Sequence, residues 1–368
     1  MAKLKKLSKP FTTEWFQGTQ VYRVLSRSRQ ARGKFGSSIE DVWLNPAEFI
    51  NRIGNLIMNE TIGEMDFWLL VWGYEGSSKS SLCSMLYKWI ILNKRPDEWL
   101  KTLPRDYIFM RDTYGKLNYY FTQNNIRLHP IVVDDAHYVF GSYSGRTQGA
   151  MSTNQLARFN RDQQIIHLLN TQSPNQLWTE ISNSRVNVYI YTFGIPVMKD
   201  GKLIDRWKYA AFWNLDNSHI IRLDRNIFTI PRFWDKIISK YPPDFVTRFD
   251  PLFPAHTDVW KGYRELKVFF KKFYSFLNGM KVTNDKQIAV VFNMLEYLTR
   301  RDFPNLERYI ESLPGKTVEA LAESGVMFKN KKPTYSGLSY ILHPALLSLV
   351  DEHREVIEAK SIIRSALG

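Results

Sequence analysis

The chain has 368 residues, a formal net charge of +14 and a hydrophobic share of 44%. That hydrophobic share is ordinary for a globular chain with room for two domains. No apolar run approaches the roughly 18 residues of a membrane span, and the start MAKLKKLSKPF lacks the apolar stretch of a secretory signal. We therefore expect a cytoplasmic protein without a membrane span.

The lone cysteine and the charge limit the possible partners. Cys83 cannot form an internal disulfide and has no metal-ligand spacing around it, so we expect a small buried residue. A chain this basic attracts polyanions, and nucleic acid is the natural partner. An anionic membrane surface fits the charge too, but no basic amphipathic helix stands out.

The first 44 residues are strongly basic, and we interpret them as an arm rather than a core. The piece SRSRQARGKFGSS is polar and without a period, which is typical of a segment that stays mobile until it meets a partner. Candidate phosphate contacts are Arg27, Arg29 and Arg32. A solvated linker is the alternative interpretation.

Helical and extended patterns then alternate. A helical spacing of apolar residues covers NPAEFINRIGNLIMNETIGEMD. The apolar run FWLLVWG predicts a strand, and SSLCSMLYKWIIL predicts a helix that ends at Arg95-Pro96. Further short strands are expected in IFM, HPIVVDDAH, QIIHLLNTQ and VNVYIYTF. This alternation predicts an α/β fold with a mostly parallel sheet. The segment KDGKLIDRWKYAAFWNLD predicts an antiparallel hairpin with KDGK at its turn.

The stretch WGYEGSSKSS resembles the phosphate-binding pattern G-x-x-x-x-G-K-[ST]. Gly73, Lys79 and Ser80 match it, but Ser78 stands where the second glycine belongs. Serine there costs a strained backbone without removing the N–H donor. Candidate nucleotide contacts are Gly73, Tyr74, Glu75, Gly76, Ser77, Ser78, Lys79, Ser80 and Ser81. The alternative is a serine-rich turn into a helix.

Two carboxylates end the strand in PIVVDDAH. At the carboxyl end of a parallel strand they would face the crevice where ligands of open α/β sheets bind. We expect Asp134 to hold Mg²⁺ together with Ser80, and Asp135 to polarise the attacking water. Because aspartate is shorter than the usual glutamate, slow turnover is predicted. A strand capped by an ordinary turn is the alternative.

The order of these motifs, followed by T-Q-S-P at Thr171–Pro174 and by ISNSRV, resembles the FtsK/HerA group of RecA-like P-loop ATPases. The resemblance covers about Asp66 to Tyr191. It implies ATP hydrolysis, a homo-oligomeric ring and movement of duplex DNA, with partner proteins of a mobile element or virus. It also implies that Gln172 contacts the γ-phosphate or the attacking water. An arginine is expected to reach into the nucleotide site of a neighbouring subunit. The candidate arginines are Arg146, Arg158, Arg161 and Arg185, each with a structural role as the alternative.

From about residue 251 the chain reads as largely helical, with three helices and a basic turn that suit a smaller winged-helix-like domain. Its candidate DNA contacts are Lys316, Lys329, Lys331 and Lys332. A helical domain that packs on the core or mediates assembly is the alternative.

These patterns predict three segments: an arm at 1–44, a P-loop ATPase core at 45–250 and a C-terminal domain at 251–368. The favoured function is an ATP- and Mg²⁺-dependent motor or remodelling ATPase on DNA. One rival is an AAA+-like initiator or loader, in which Asn170 would be a sensor. Another is a nucleotide-binding scaffold that hydrolyses little.

Overall fold

A computed structural model describes residues 16–27, 42–62, 66–94, 106–109, 111–141, 163–179, 181–214, 233–249, 258–330 and 338–365. The chain divides into two compact units. The first comprises Met1–Trp99, Tyr107–Phe109 and Asn125–Trp260, and the second Leu100–Asp106, Met110–Asn124 and Lys261–Gly368. The predicted segment boundaries at 44/45 and 250/251 stay predictions.

The first unit is built on a seven-stranded sheet. Its strands are β1 (Phe67–Trp72), β2 (Tyr107–Ile108), β3 (Pro130–Val133), β4 (Ile166–Thr171), β5 (Val188–Lys199), β6 (Lys202–Trp213) and β7 (Phe245–Phe249). The spatial order is β2-β3-β4-β1-β5-β6-β7. The pairings from β2 to β5 are parallel, and those of β6 with β5 and β7 are antiparallel. The expected α/β class with a mostly parallel sheet is confirmed.

Position in the sheet explains the composition of the central strand. Every residue of β1 is buried, and β1 lies between β4 and β5. Parallel strands that are covered on both faces read as continuous apolar runs, as FWLLVW does. Because β4 lies between β1 and β3, the strand before the candidate loop and the strand before the two aspartates are not neighbours.

The helices of the first unit include α1 (Gln20–Arg27), α2 (Pro46–Ile62), α3 (Lys79–Lys94), α5 (His137–Phe140) and α6 (Trp234–Lys240). The second unit contains α4 (Arg111–Gln123), α8 (Asp285–Thr299), α9 (Phe303–Glu311), α10 (Gly315–Glu323) and α11 (Pro344–Ser365). Helix α7 (Asp258–Gly279) starts at the end of the first unit and belongs to the second from Lys261 onward. Helix α4 thus belongs to the second unit although it lies between β2 and β3 along the chain. None of the helices in the described ranges combines the length and apolar character needed to cross a bilayer.

Part of the expected N-terminal arm is packed, which corrects that expectation for residues 16–27 and 42–44. Phe16, Val21 and Leu25 are fully buried. The Phe16 ring stacks on Trp43 with a centroid distance of 4.5 Å, and the Leu44 N–H donates to the Val246 carbonyl. The apolar residues spaced along α1 account for this packing, because a one-sided apolar stripe directs a helix onto a core.

The expected hairpin is confirmed as β5 and β6. Its turn residues, Asp200 and Gly201, have φ angles of +52° and +72°. Two consecutive left-handed residues are what a type I′ turn requires, and Asp-Gly supplies them at low cost.

In the second unit, α8, α9 and α10 precede an antiparallel pair of short strands, β8 (Met327–Lys329) and β9 (Tyr340–Leu342). Three helices followed by a two-stranded sheet is the order that a winged helix needs. The winged-helix assignment itself remains a prediction.

Candidate functional site

Residues from three of the predicted motifs lie at the carboxyl ends of three parallel strands, at one edge of the sheet. Strands β1, β4 and β3 are parallel neighbours in that order. Gly73 follows β1, Gln172 follows β4 and Asp134 follows β3. Ligands of open α/β sheets bind at this edge.

The candidate loop runs from Gly73 to Ser78, between β1 and α3. Gly73 has φ +149°, and a Cβ there would lie 2.1 Å from the Thr192 carbonyl oxygen and 2.9 Å from Ser77 Oγ. Any side chain at this position would therefore displace backbone. Gly76 adopts φ +75° with open space around it, so it is required for its conformation rather than for lack of room.

Ser78 adopts the backbone conformation of the glycine that it replaces. Its φ is +72°, in the left-handed region. This conformation costs an L-residue about 1–2 kcal/mol. The backbone at this position is therefore left-handed, as it would be with glycine, and Ser78 is strained as the sequence predicts.

Lys79 begins α3, and its ammonium turns back over the loop. Its Nζ donates to the carbonyl oxygens of Gly73 at 3.0 Å and Tyr74 at 3.1 Å, and the residue is only 8% exposed. The first turn of a helix directs its N–H groups out of the helix start. The loop, the lysine and the helix N-terminus therefore form the arrangement that binds phosphate in proteins.

Ser80, Asp134 and Asn170 form a hydrogen-bonded cluster across three elements. Ser80 Oγ donates to Asp134 Oδ1 at 2.8 Å, and Asn170 Nδ2 donates to the same oxygen. Asp134 and Asn170 are 1% and 0% exposed. Asp134 is thereby fixed beside the hydroxyl that follows the loop lysine.

Asp135 lies next to this cluster and has a left-handed backbone, with φ +48°. Its N–H donates to Asn170 Oδ1 at 3.0 Å. Aspartate and asparagine are the residues other than glycine that most often adopt this conformation. Aspartate therefore suits this backbone conformation better than glutamate would.

The T-Q-S-P stretch forms a capped turn at the end of β4. Ser173 Oγ accepts from the Asn175 N–H, and the Gln176 side chain completes a capping box. Thr171 Oγ1 donates to Gln176 Oε1 at 2.9 Å. These bonds hold the turn, while Gln172 itself is exposed at the same edge as Lys79 and Asp134.

Arg185 lies at the opposite end of β1. Its guanidinium pairs with Asp66, which precedes β1, at 3.5 Å, and the side chains are 14% and 6% exposed. Asp66 also accepts from Trp68 Nε1 at 2.6 Å. This ion pair gives Arg185 a structural role, which is the alternative stated for each candidate arginine.

The remaining candidates divide into exposed residues and residues outside the described ranges. Arg27 lies at the end of α1, Lys316 in the first turn of α10 and Lys329 at the end of β8, and all three are exposed. Helix α10 also carries Glu319 and Glu323. Outside the described residues lie Arg29, Arg32, Arg146, Arg158, Arg161, Lys331 and Lys332.

Burial dominates the electrostatics around the cluster. Cys83 is fully buried, as expected, and burial reinforced by Asp134 raises the pKa of its thiol far above the ordinary value. Burial also raises the pKa of Tyr107, although the Ser84 hydroxyl contact opposes it. Burial lowers the pKa of His137, opposed by Asp135. Cys83 therefore stays a neutral thiol rather than a nucleophile.

The ligands for a metal ion would come from few protein groups. Within the described ranges, no three histidine, cysteine or acidic side chains cluster as a metal site. Mg²⁺ bound with phosphates is held by only one or two protein oxygens plus water. Ser80 Oγ and the Asp134 carboxylate are the oxygens that fit this role, because they already touch.

Two basic residues beside the loop were missed by sequence reasoning. Lys208 Nζ donates to the Gly76 carbonyl, and an Arg206 guanidinium nitrogen lies 3.5 Å from Tyr74 Oη. Both belong to β6. No motif marks them, and only the pairing of β5 with β1 brings β6 close to the loop.

Comparison with known proteins adds one distant structural similarity. No protein-family model matches the sequence, and no curated protein is significantly similar to it. The chain is similar to the crystal structure of the N-terminal domain of zonular occludens toxin from Neisseria meningitidis, at 16% identity and a TM-score of 0.26. The match covers 41% of this chain and 85% of that one. The identity and the TM-score are both too low to indicate the function of this chain.

Proposed function

We propose that this protein binds ATP with Mg²⁺ at the carboxyl edge of its parallel sheet and hydrolyses it. The observation that carries this proposal is the 2.8 Å contact between Ser80 Oγ and Asp134 Oδ1. It joins two motifs that are far apart in the sequence. A hydroxyl after the loop lysine and a carboxylate from a second strand are the oxygens that such sites offer to Mg²⁺.

Each group then has a defined task. The loop N–H groups and the start of α3 face the phosphates, and the Lys79 ammonium exchanges its two carbonyl partners for phosphate oxygens. Ser80 and Asp134 would hold Mg²⁺, which would supply positive charge against the transferred phosphoryl group. Asp135 orients the attacking water, and Gln172 is placed at the same edge to respond to the γ-phosphate.

The test is ATP binding and steady-state hydrolysis by the wild type and by Lys79→Ala. Lys88→Ala is the matched control, because it removes the same charge from the same helix. We expect Lys79→Ala to stay folded but to lose ATP binding and turnover, and Lys88→Ala to keep both activities. Hydrolysis that survives in Lys79→Ala would contradict the assignment of the loop.

A second pair of variants tests the metal role. Ser80→Ala and Asp134→Asn should each remove the Mg²⁺-dependent part of ATP affinity, measured as the difference between titrations with Mg²⁺ and with EDTA. Because both variants act on one ion, the double variant should be no worse than the poorer single one. Additive losses would contradict a shared metal.

We further propose that hydrolysis is coupled to DNA, as the resemblance to FtsK/HerA-type motors implies. The net charge of +14 supports a polyanionic partner. Neutralising Lys316 and Lys329 should reduce the salt dependence of DNA affinity by about one unit of log–log slope per lost phosphate contact. An unchanged slope would remove these lysines from the interface.

One observation favours a nucleotide switch as a second candidate. Asn170, on β4, is hydrogen-bonded both to the Asp134 carboxylate and to the Asp135 N–H. A movement of either aspartate would therefore be transmitted to β4. A switch would bind ATP tightly and release phosphate slowly. Single-turnover phosphate release with and without duplex DNA separates the two candidates. DNA should speed phosphate release by a motor and leave phosphate release by a switch unchanged.

A further inference from the structure

The β5–β6 hairpin forms one wall of the candidate loop. The Ser77 and Thr192 hydroxyls are hydrogen-bonded at 2.7 Å, and Thr192 also donates to the carbonyl of Trp72. Tyr74 Oη donates to the Gly194 carbonyl at 3.3 Å. Contacts at Tyr74 and Ser77 therefore tie the loop to β5, and the contact at Trp72 ties β5 to the end of β1.

Residues of β6 contact the loop from the same side. Lys208 Nζ donates to the Gly76 carbonyl. The Arg206 guanidinium lies 6.0 Å from the centre of the Tyr74 ring. Packing is close here, because a Cβ on Gly194 would lie 2.5 Å from Tyr74 Oη and 2.8 Å from Arg206 Cδ.

The contact at Gly76 stands out because of the residue it restrains. Gly76 has φ +75°, and no atom lies within 4 Å of the position that a Cβ would take. Glycine loses more backbone entropy on ordering than any other residue. Half-burial and the neighbouring Arg206 lower the pKa of Lys208, opposed by Asp205. Its ammonium donates a charge-assisted hydrogen bond, which is stronger than one between neutral groups.

We propose that Lys208 is a positioning residue that holds Gly76 and thereby keeps the phosphate loop formed before nucleotide arrives. The part of this inference that concerns nucleotide affinity rests on the proposed function. Affinity gains from a preformed loop because the entropy of ordering Gly76 is lost on folding and not on binding. The inference makes β6, which carries no recognised motif, part of the nucleotide site.

The test compares Lys208→Met, Lys208→Gln and Lys208→Arg with Lys202→Met. Lys202 is the matched control because it lies on the same strand, at the exposed end of the hairpin. The first measurement is amide hydrogen exchange of the loop without nucleotide. We expect exchange about tenfold faster in Lys208→Met, since a hydrogen bond to a charged group is lost, and no change in Lys202→Met.

The second measurement is the Kd for ATP from fluorescence titration. Lys208→Met should weaken binding about tenfold, near the low end expected for a charged hydrogen bond at a half-buried site. Lys208→Arg, which keeps the charge, should recover most of the affinity, and Lys208→Gln should lie between. This graded series is informative even if the methionine variant unfolds.

The outcomes separate the two proposals. Faster loop exchange in Lys208→Met, together with a wild type that does not bind ATP, would overturn the proposed function and leave the role of Lys208 standing. Unchanged loop exchange would overturn the role of Lys208 whatever the affinity. Faster exchange with unchanged affinity in a wild type that binds ATP would also overturn it, because the loop would then not need to be preformed.

Discussion

Replacing Ser78 with glycine should stabilise the protein. The φ of Ser78 is +72°, a conformation that costs an L-residue about 1–2 kcal/mol. Glycine removes that cost but gains about 0.4–1 kcal/mol of entropy in the unfolded chain. The difference is a net stabilisation of about 0.5–1 kcal/mol, which corresponds to a rise of about 2 °C in Tm for a domain of this size.

Ser173→Gly is the matched control for this substitution. Ser173 has an extended backbone with φ −145°, and its Oγ accepts from the Asn175 N–H. Glycine relieves nothing there, so stability should fall by about 0.5–1 kcal/mol. Thermal and urea unfolding should be measured without nucleotide, because a ligand that binds the folded state raises apparent stability. A Ser78→Gly variant that loses as much stability as Ser173→Gly would refute the strained loop.

Three other substitutions test the site and its support. Gly73→Ala should weaken ATP binding and lower stability by about 1–3 kcal/mol, because its Cβ would lie 2.1 Å from the Thr192 carbonyl oxygen; unchanged affinity by titration would contradict this close approach. Asp135→Glu should raise turnover in a phosphate-release assay through its longer reach, while lowering stability by about 0.5–1 kcal/mol because glutamate adopts φ +48° less readily than aspartate. Slower turnover would show that the backbone at 135 matters more than reach. Burial lowers the pKa of His167 to about 3 from 6.5, so the folded state binds its proton less readily than the unfolded state. Stability should therefore fall by about 1.4 kcal/mol per pH unit as the pH is lowered from about 6.5 to about 3. His167→Phe keeps an aromatic ring against Trp68 and should make the fall of stability with pH shallower in urea unfolding. Equal slopes for both proteins would contradict this role of His167.

Local pattern sufficed for much of the first unit. The continuous apolar run of β1 and the helical spacing of α2 follow from short-range periodicity, which depends only on neighbouring residues. The Asp200-Gly201 turn is equally local, because few dipeptides adopt two left-handed conformations in succession. The loop pattern likewise identified Lys79 and Ser80, since phosphate binding needs these residue types at fixed spacing.

Other features depend on segments that meet only in the folded chain. The burial of Phe16 and Val21 inside a basic segment was not anticipated, because charge density dominates the composition of that segment while one apolar stripe decides its packing. The assignment of α4 to the second unit also depends on contacts between distant parts of the chain. Its position in the sequence, between two strands of the first unit, gives no sign of it.

The sequence by itself determined the type of fold and the residues that make a phosphate loop, because both are encoded in local spacing. The tertiary structure alone decided how these residues are held. It placed β4 between β1 and β3 and so brought Asn170 onto Asp134, and it laid Lys208 against Gly76. The reason is that sheet order and strand register depend on long-range packing, which joins residues far apart in the chain and leaves no periodic trace in either segment.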